Sequence, residues 1–205
     1  MKRAARWGLA AASAVVLLGL VIHVPPIRGW LAAHGHHGGD SCPFGYGTAA
    51  RHRGDPTAPH AHARPALGFA LGTTTAAEIA RWATDHATTC RAKRGGTFLE
   101  CADPSASTSI WLQLDEQGVL EAVQATRREP TAAMISDAFV QRQAELTAQV
   151  GAPTRHDGSS APNALTGAAL RQAMVEYRFS DYHALVRATN MGDGYVLTEE
   201  YTRLD

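Results

Sequence analysis

The N-terminus of the chain is the feature that most constrains its fold and its cellular address. Lys2, Arg3 and Arg6 precede an uncharged apolar stretch, residues 7–24. As a helix rising about 1.5 Å per residue, the stretch comes close to spanning the ~30 Å hydrocarbon core of a bilayer. Basic residues before an apolar run stay on the cytoplasmic side of the membrane. The pattern therefore predicts an N-terminal apolar helix, with residues 1–33 serving as a membrane anchor or signal segment.

Two fates of this segment stay open. Trp30, just beyond the apolar stretch, suits a spanning helix because aromatic side chains favour the membrane interface. The small residues at 31–33 could instead form a signal-peptide cleavage site. If the anchor is retained, we expect a single-pass inner-membrane protein whose C-terminal domain faces the periplasm. If it is removed, the domain is exported.

Residues 34–66 are rich in histidine, glycine and proline and poor in apolar side chains. Such a composition cannot bury enough apolar surface to offset the entropy lost on ordering the chain. We therefore expect a disordered tether. A metal site is the alternative, because imidazoles and a thiolate are ligands for zinc, copper or nickel. Its ligands would be His34, His36, His37 and Cys42.

The chain has three cysteines and no Cys-x-x-Cys pair. Cys90, at a predicted helix end, and Cys101, on a predicted strand, flank a Gly95-Gly96 turn. A loop of about a dozen residues of this kind can bring two cysteines within disulfide reach and stabilise the fold by about 3 kcal/mol. We therefore predict a Cys90–Cys101 disulfide, which agrees with an oxidising compartment. Cys42 is left as a free thiol or as the link of a disulfide-bonded dimer.

Two helices are predicted in the C-terminal domain, residues 67–205. Thr75 followed by Glu78 forms a capping box, in which each side chain satisfies a backbone amide at the start of the helix. A longer helix begins after Pro130 and ends at Gly151, with a proline just beyond, which is the usual order of helix-ending residues.

Alternating apolar residues predict the strands of the same domain. Residues 109–115 and 119–128 read as a hairpin, and residues 175–201 read as a second meander. Residues 154–170 read as a surface loop. Each helix then precedes a group of strands, so the predicted fold class is α+β. We expect an antiparallel sheet with two helices packed on one face, built from two helix-plus-β-meander units.

Two short motifs and the element order resemble known envelope proteins. Residues 71–78 (LGTTTAAE) are similar to the Gly-Met-Thr-x-x-Glu helix opening of proteins related to the outer-membrane assembly lipoprotein BamE, although Thr73 replaces the Met. Residues 151–153 (GAP) resemble the Leu-Gly-x-Pro helix ending of that family, whose lipidated cysteine this chain lacks. The tandem helix–strand order resembles the β-lactamase-inhibitor protein. The resemblance covers residues 66–205 and implies a binding or scaffold domain that uses a sheet surface.

No pattern in the sequence predicts catalysis. His156, Asp157, Ser159 and Ser160 lie in one predicted loop, whereas a catalytic triad needs groups from separate elements and an oxyanion donor. We therefore expect no enzyme and no cofactor. The formal net charge of +0 gives no reason to expect a nucleic-acid partner.

The expected function is a membrane-tethered, periplasm-facing domain that binds another envelope protein or a peptide. The alternative is metal handling through the histidine-rich residues 34–62, with the domain as a carrier.

Overall fold

One large antiparallel sheet and a few helices make up the fold. This confirms the predicted α+β fold class. The computed structural model describes residues 54–103 and 108–204. The predicted N-terminal apolar helix lies outside these residues, as do residues 34–53 of the predicted tether.

The strands form two antiparallel sheets. A small hairpin pairs β1 (Pro65–Ala66) with β2 (Phe69–Ala70). The large sheet has the spatial order β3-β4-β5-β6-β10-β9-β8-β7, so two consecutive four-strand meanders meet where β6 pairs with β10. Its strands are β3 (Thr89–Lys93), β4 (Phe98–Asp103), β5 (Thr108–Leu114), β6 (Leu120–Glu129), β7 (Arg155–Asp157), β8 (Gln172–Arg178), β9 (Tyr182–Asn190) and β10 (Tyr195–Arg203).

The helices are α1 (Ala76–Asp85), α2 (Ala132–Val150) and the short α3 (Pro162–Leu165). The capping box of α1 is confirmed: Glu78 N donates to Thr75 Oγ1 (3.4 Å), and Thr75 N donates to Glu78 Oε2 (2.7 Å). The Thr75 N–H, together with the Thr75 hydroxyl, which also donates to Glu78 Oε2 (2.9 Å), holds the pKa of the Glu78 carboxyl below its usual value. α2 ends as predicted at Gly151, whose φ of +95° favours glycine.

A single buried cluster joins helices and sheet. Ile79 of α1 and Phe139 of α2 lie in it together with side chains from both halves of the sheet. The driving force is removal of apolar area from water, at roughly 25 cal/mol per Å². Among the fully buried large side chains are Leu112, Leu120, Ile135, Phe139, Leu165, Tyr177, Tyr182, Leu197 and Tyr201.

Cys90 lies on strand β3 and not at the predicted helix end. α1 ends at Asp85, and Ala87 then takes a φ of +51°. Thr88 N donates to Ala83 O (2.8 Å), which closes the helix. The residues that follow Thr88 then pair antiparallel with β4 and form strand β3. The predicted loop 154–170 also differs, because it contains β7 and α3.

Residues 54–66 pack against the turn between β8 and β9, although their composition predicts a tether. Ala61 N donates to Asp181 Oδ1 (2.8 Å). Tyr182 OH donates to Pro65 O (2.6 Å), and Tyr182 is fully buried. Folded contacts therefore begin before the predicted domain boundary, because backbone groups of this segment are held by polar atoms of the β8–β9 turn.

Candidate functional site

The large sheet has two faces because side chains alternate along each strand. The first face carries the core, including Val123 and Ala125 of β6. The opposite side we call the second face. One row of it contains Trp111 (β5), Gln124 (β6), Glu200 (β10) and Leu185 (β9), and the adjoining row contains Ser109, Thr126, Thr198 and Arg187.

Gln124 is the most unusual residue on the second face. It is 1% exposed, yet neither its amide oxygen nor its amide nitrogen has a hydrogen-bond partner among the described residues. Leaving a buried polar group unpaired costs about 1–3 kcal/mol, so each such group in a fold calls for a physical explanation. A carboxamide offers two donors and one acceptor, which a partner chain could satisfy.

Two further polar groups on the second face resemble Gln124 in this respect. Thr126 Oγ1 and Arg187 Nε are buried atoms without a hydrogen-bond partner in the described part of the chain. Thr198 lies between their strands, paired with both Thr126 and Arg187. Opposite side chains on neighbouring strands are about 4.5–5.5 Å apart at Cβ, so the three groups occupy one continuous area.

Apolar side chains flank these polar groups. The ring of Trp111 lies 6.0 Å from the ring of Phe98, and Leu185 is 9% exposed. Interface centres combine such aromatic and aliphatic area with a few placed hydrogen-bonding groups. The two rows together present hydroxyl, amide, guanidinium and indole groups, which suit them to bind a partner through hydrogen bonds and apolar contacts.

The second face becomes charged towards β8. His183 Nε2 lies 2.9 Å from Glu176 Oε1, and Arg178 contacts the same oxygen at 3.2 Å. These charges are paired, in contrast to the amide of Gln124. They form a polar border beside the row that contains Leu185.

A buried charged cluster lies on the first face, beneath α2. Arg142 Nε is 2.7 Å from Glu199 Oε2, and Tyr201 OH donates to the same oxygen at 2.5 Å. Arg142 also contacts Glu145. Burial raises the pKa of Glu199 above its usual value, while Arg142 and Tyr201 oppose that shift. The cluster ties α2 to β10.

One cleft of about 250 Å³ lies where β6 ends and β10 begins. It is smaller than the roughly 300–1,000 Å³ of typical ligand pockets, and its walls mix charged and apolar side chains. We assign no function to it. Its lining residues are Arg128, Glu129, Pro130, Met191, Asp193, Gly194, Tyr195 and Val196.

The residues predicted from sequence as sites fall into two groups. Cys90 and Cys101 are joined by a disulfide across β3 and β4, with their Cα atoms 4.0 Å apart. The predicted metal ligands His34, His36, His37 and Cys42 lie outside the described residues. Within residues 54–103 and 108–204, no cluster of three or more metal-ligating side chains exists.

His156 and Asp157 lie on the exposed edge strand β7, where Asp157 pairs with Arg155 (3.2 Å). They do not converge with a serine from another element. None of the helices in the described ranges is both long and apolar enough to cross a bilayer.

Gln124 was not among the residues predicted from sequence. Its only local signal is a polar residue within an otherwise apolar stretch, residues 122–125. Strand alternation places such a residue opposite the core, where a polar side chain is ordinary. Its neighbours on the two adjacent strands are Trp111 and Glu200, and this pairing is not readable from the sequence.

The chain was compared with protein-family models, with curated proteins and with solved structures, and none of them matches it significantly.

Proposed function

We propose that this chain is a membrane-tethered, periplasm-facing domain that binds an envelope protein or peptide through the second face of its sheet. The observation that carries the proposal is the buried Gln124 side chain, which has no hydrogen-bond partner at either end of its amide among the described residues. A partner that displaces the atoms covering Gln124 and pairs with this amide would recover the desolvation cost that the isolated domain bears.

The composition of the second face indicates the kind of partner. Unpartnered donors and acceptors at Gln124 and Thr126 match backbone amides, side-chain amides or hydroxyl groups. Trp111 and Leu185 beside them provide area for an apolar side chain. The partner is therefore a protein segment with both polar and apolar groups, and a highly charged polymer does not fit.

The proposed address is supported by two independent features. The N-terminus has the basic-then-apolar order that directs export, and Cys90 and Cys101 form a disulfide that suits an oxidising compartment. The core on the first face leaves the second face for binding. The resemblance to envelope proteins that bind through sheet surfaces supports the same choice.

The proposal can be tested by site-specific photo-crosslinking in intact membranes with the full chain. A photoreactive residue replaces Glu200 on the second face or, as a control, Gln149 on the exposed side of α2. We expect one defined envelope protein to be crosslinked from position 200 and not from position 149. Equal crosslinking from both positions, or none from position 200, would contradict the proposal.

A second test separates binding from folding. Because Gln124 is unpartnered among the described residues, Gln124→Leu should raise the free energy of unfolding by about 1–2 kcal/mol while abolishing the crosslink from position 200. Gln113 is the matched control, since its amide on the same face donates to Glu121 Oε2 (3.3 Å). Gln113→Leu should give no such gain. Measurements are urea denaturation and crosslinking yield; destabilisation by Gln124→Leu would overturn the argument.

A further inference from the structure

Strand β3 forms one edge of the large sheet, and β4 is its only strand partner among the described residues. Thr89, Arg91, Ala92 and Lys93 are exposed, and Cys90 is half-buried. The other edge, β7, has three residues against the five of β3. An edge strand presents a row of unpaired backbone groups on its outer side.

The pairing geometry identifies which backbone groups of β3 face outward. The Cα atoms of Cys90 and Cys101 are 4.0 Å apart, which is the narrow spacing of a pair that exchanges no hydrogen bonds. The hydrogen bond from Leu114 N to Thr97 O (2.9 Å) agrees with this assignment, because it shows that the backbone groups of Thr97 face β5. Backbone groups alternate in direction along a strand, so those of Cys101, four residues later, also face β5. The N–H and C=O groups of Cys90 and Ala92 therefore point away from the sheet.

No described residue pairs with these four outward groups. Thr88, which comes just before β3 and faces the same way, donates its N–H to Ala83 O (2.8 Å) at the end of α1. The available edge therefore begins at Cys90 and extends over Ala92. It can form two hydrogen-bonded pairs with one added strand.

The charges beside this edge favour a particular strand. Arg91 and Lys93 both project to the second face. Lys93 Nζ pairs with Glu100 Oε2 (3.3 Å), whereas Arg91 has no ion-pair partner in the described part of the chain. If a second copy of β3 paired antiparallel through Cys90 and Ala92, Arg91 would lie opposite its own copy, and like charges on opposite positions are destabilising. An added strand with acidic side chains on that face would be attracted.

We propose that the β3 edge is a strand-addition site for an extended acidic peptide segment of a partner protein, separate from the site on the second face. Backbone hydrogen bonds to Cys90 and Ala92 give the affinity, and the pairing of an acidic side chain with Arg91 gives the selectivity. The disulfide keeps β3 on β4, so the edge is formed before the segment arrives.

The test uses the full chain and a dye-labelled seven-residue peptide in which threonine or valine alternates with glutamate. Fluorescence anisotropy measures its affinity. We expect saturable binding that weakens with salt and that is lost when lysine replaces glutamate. Hydrogen exchange at the amides of Cys90 and Ala92 should slow when the peptide is bound. Arg91→Glu should reverse the preference between the two peptides.

Ala92→Pro is the decisive variant. The Ala92 N–H points outward, so proline removes a group needed by the added strand and none needed by β4. We expect at least about a tenfold loss of peptide affinity with an unchanged unfolding midpoint. Ala92→Val, which keeps the N–H, is the control and should bind normally.

Three results would overturn the proposal: no binding by the unchanged chain at millimolar peptide, equal affinity for Ala92→Pro, or no protection at Cys90 and Ala92. In those cases the charges of β3 serve only to prevent edge-to-edge aggregation. Gln124→Leu should leave peptide binding unchanged. In the unsubstituted chain, absence of the partner crosslink with intact peptide binding would count against the second-face proposal alone, and a crosslink without peptide binding would count against the β3 proposal alone.

Discussion

The buried charged cluster on the first face shows how a single residue can set the acid response of this fold. Glu199 is 6% exposed and is held by Arg142 and Tyr201. Because burial raises its pKa above the ordinary value of 4.5, the folded state takes up a proton more readily than the unfolded state. Glu199 therefore lowers stability as the pH rises from about 4.5 through its folded pKa. Arg142 limits that loss by pairing with the carboxylate.

Arg142→Met should expose this relationship. At pH 7 the variant leaves a buried carboxylate without its cation, and we expect a loss of about 3 kcal/mol in the free energy of unfolding. The loss should shrink as the pH falls towards 4.5, because a protonated Glu199 needs no counter-charge. Urea denaturation at several pH values checks this. Arg128→Met, at an exposed arginine, should change stability by less than about 0.5 kcal/mol at every pH. A pH-independent loss in Arg142→Met would refute the account.

Among the elements, those with one buried side were predictable from sequence and the exposed ones were not. The capping box at Thr75 marks the start of α1, and Gly151 marks the end of α2. The alternation of apolar and polar side chains in residues 109–128 indicates a hairpin with one face in the core. β3 and β7 have almost no buried side chains, so they leave no periodic signal. The disulfide pairing was predictable from spacing, but the strand that carries Cys90 was not.

The candidate site was not predictable for a related reason. Gln124 is paired across the sheet with Trp111 and with Glu200, which is 76 positions further along the chain (200 − 124). Strand order in a sheet is a property of long-range pairing, and sequence periodicity reports only the local alternation of faces. The sequence therefore indicates which residues share a strand but not which strands surround them.

β3 depends on the disulfide more than on packing. Four of its five residues are exposed, so few apolar contacts hold it to the sheet. In a Cys90→Ser/Cys101→Ser variant we expect a loss of about 3 kcal/mol in the free energy of unfolding. Amide hydrogen exchange should also become fast in β3 and stay slow in β6 and β10. As the control, adding a reductant to this variant should not change the exchange rates in β3, β6 or β10. Unchanged exchange in β3 would mean that packing alone holds the strand.

At the scale of the molecule, the junction of β6 and β10 unites the two meanders. Eight residue pairs, from Tyr195↔Glu129 to Thr202↔Ala122, connect them. Helices and strands of both halves contribute to one buried cluster. Since neither half has a complete core of its own, both should fold and unfold as one cooperative unit.

Leu197→Ala tests this cooperativity. Leu197 is 2% exposed on β10, and removing its side chain from the shared core should cost about 2–5 kcal/mol. Trp82 and Trp111 lie in the first half, so their fluorescence reports on a region that does not contain the substitution. In a Trp7→Phe/Trp30→Phe background, we expect the fluorescence transition and the far-UV circular dichroism transition to shift together. Leu170→Ala, at a residue 71% exposed, should shift neither. If the fluorescence transition keeps its original midpoint while the circular dichroism midpoint shifts, the two meanders are separate folding units. Both meanders contribute strands to the second face, so that face would then depend on how the two units dock.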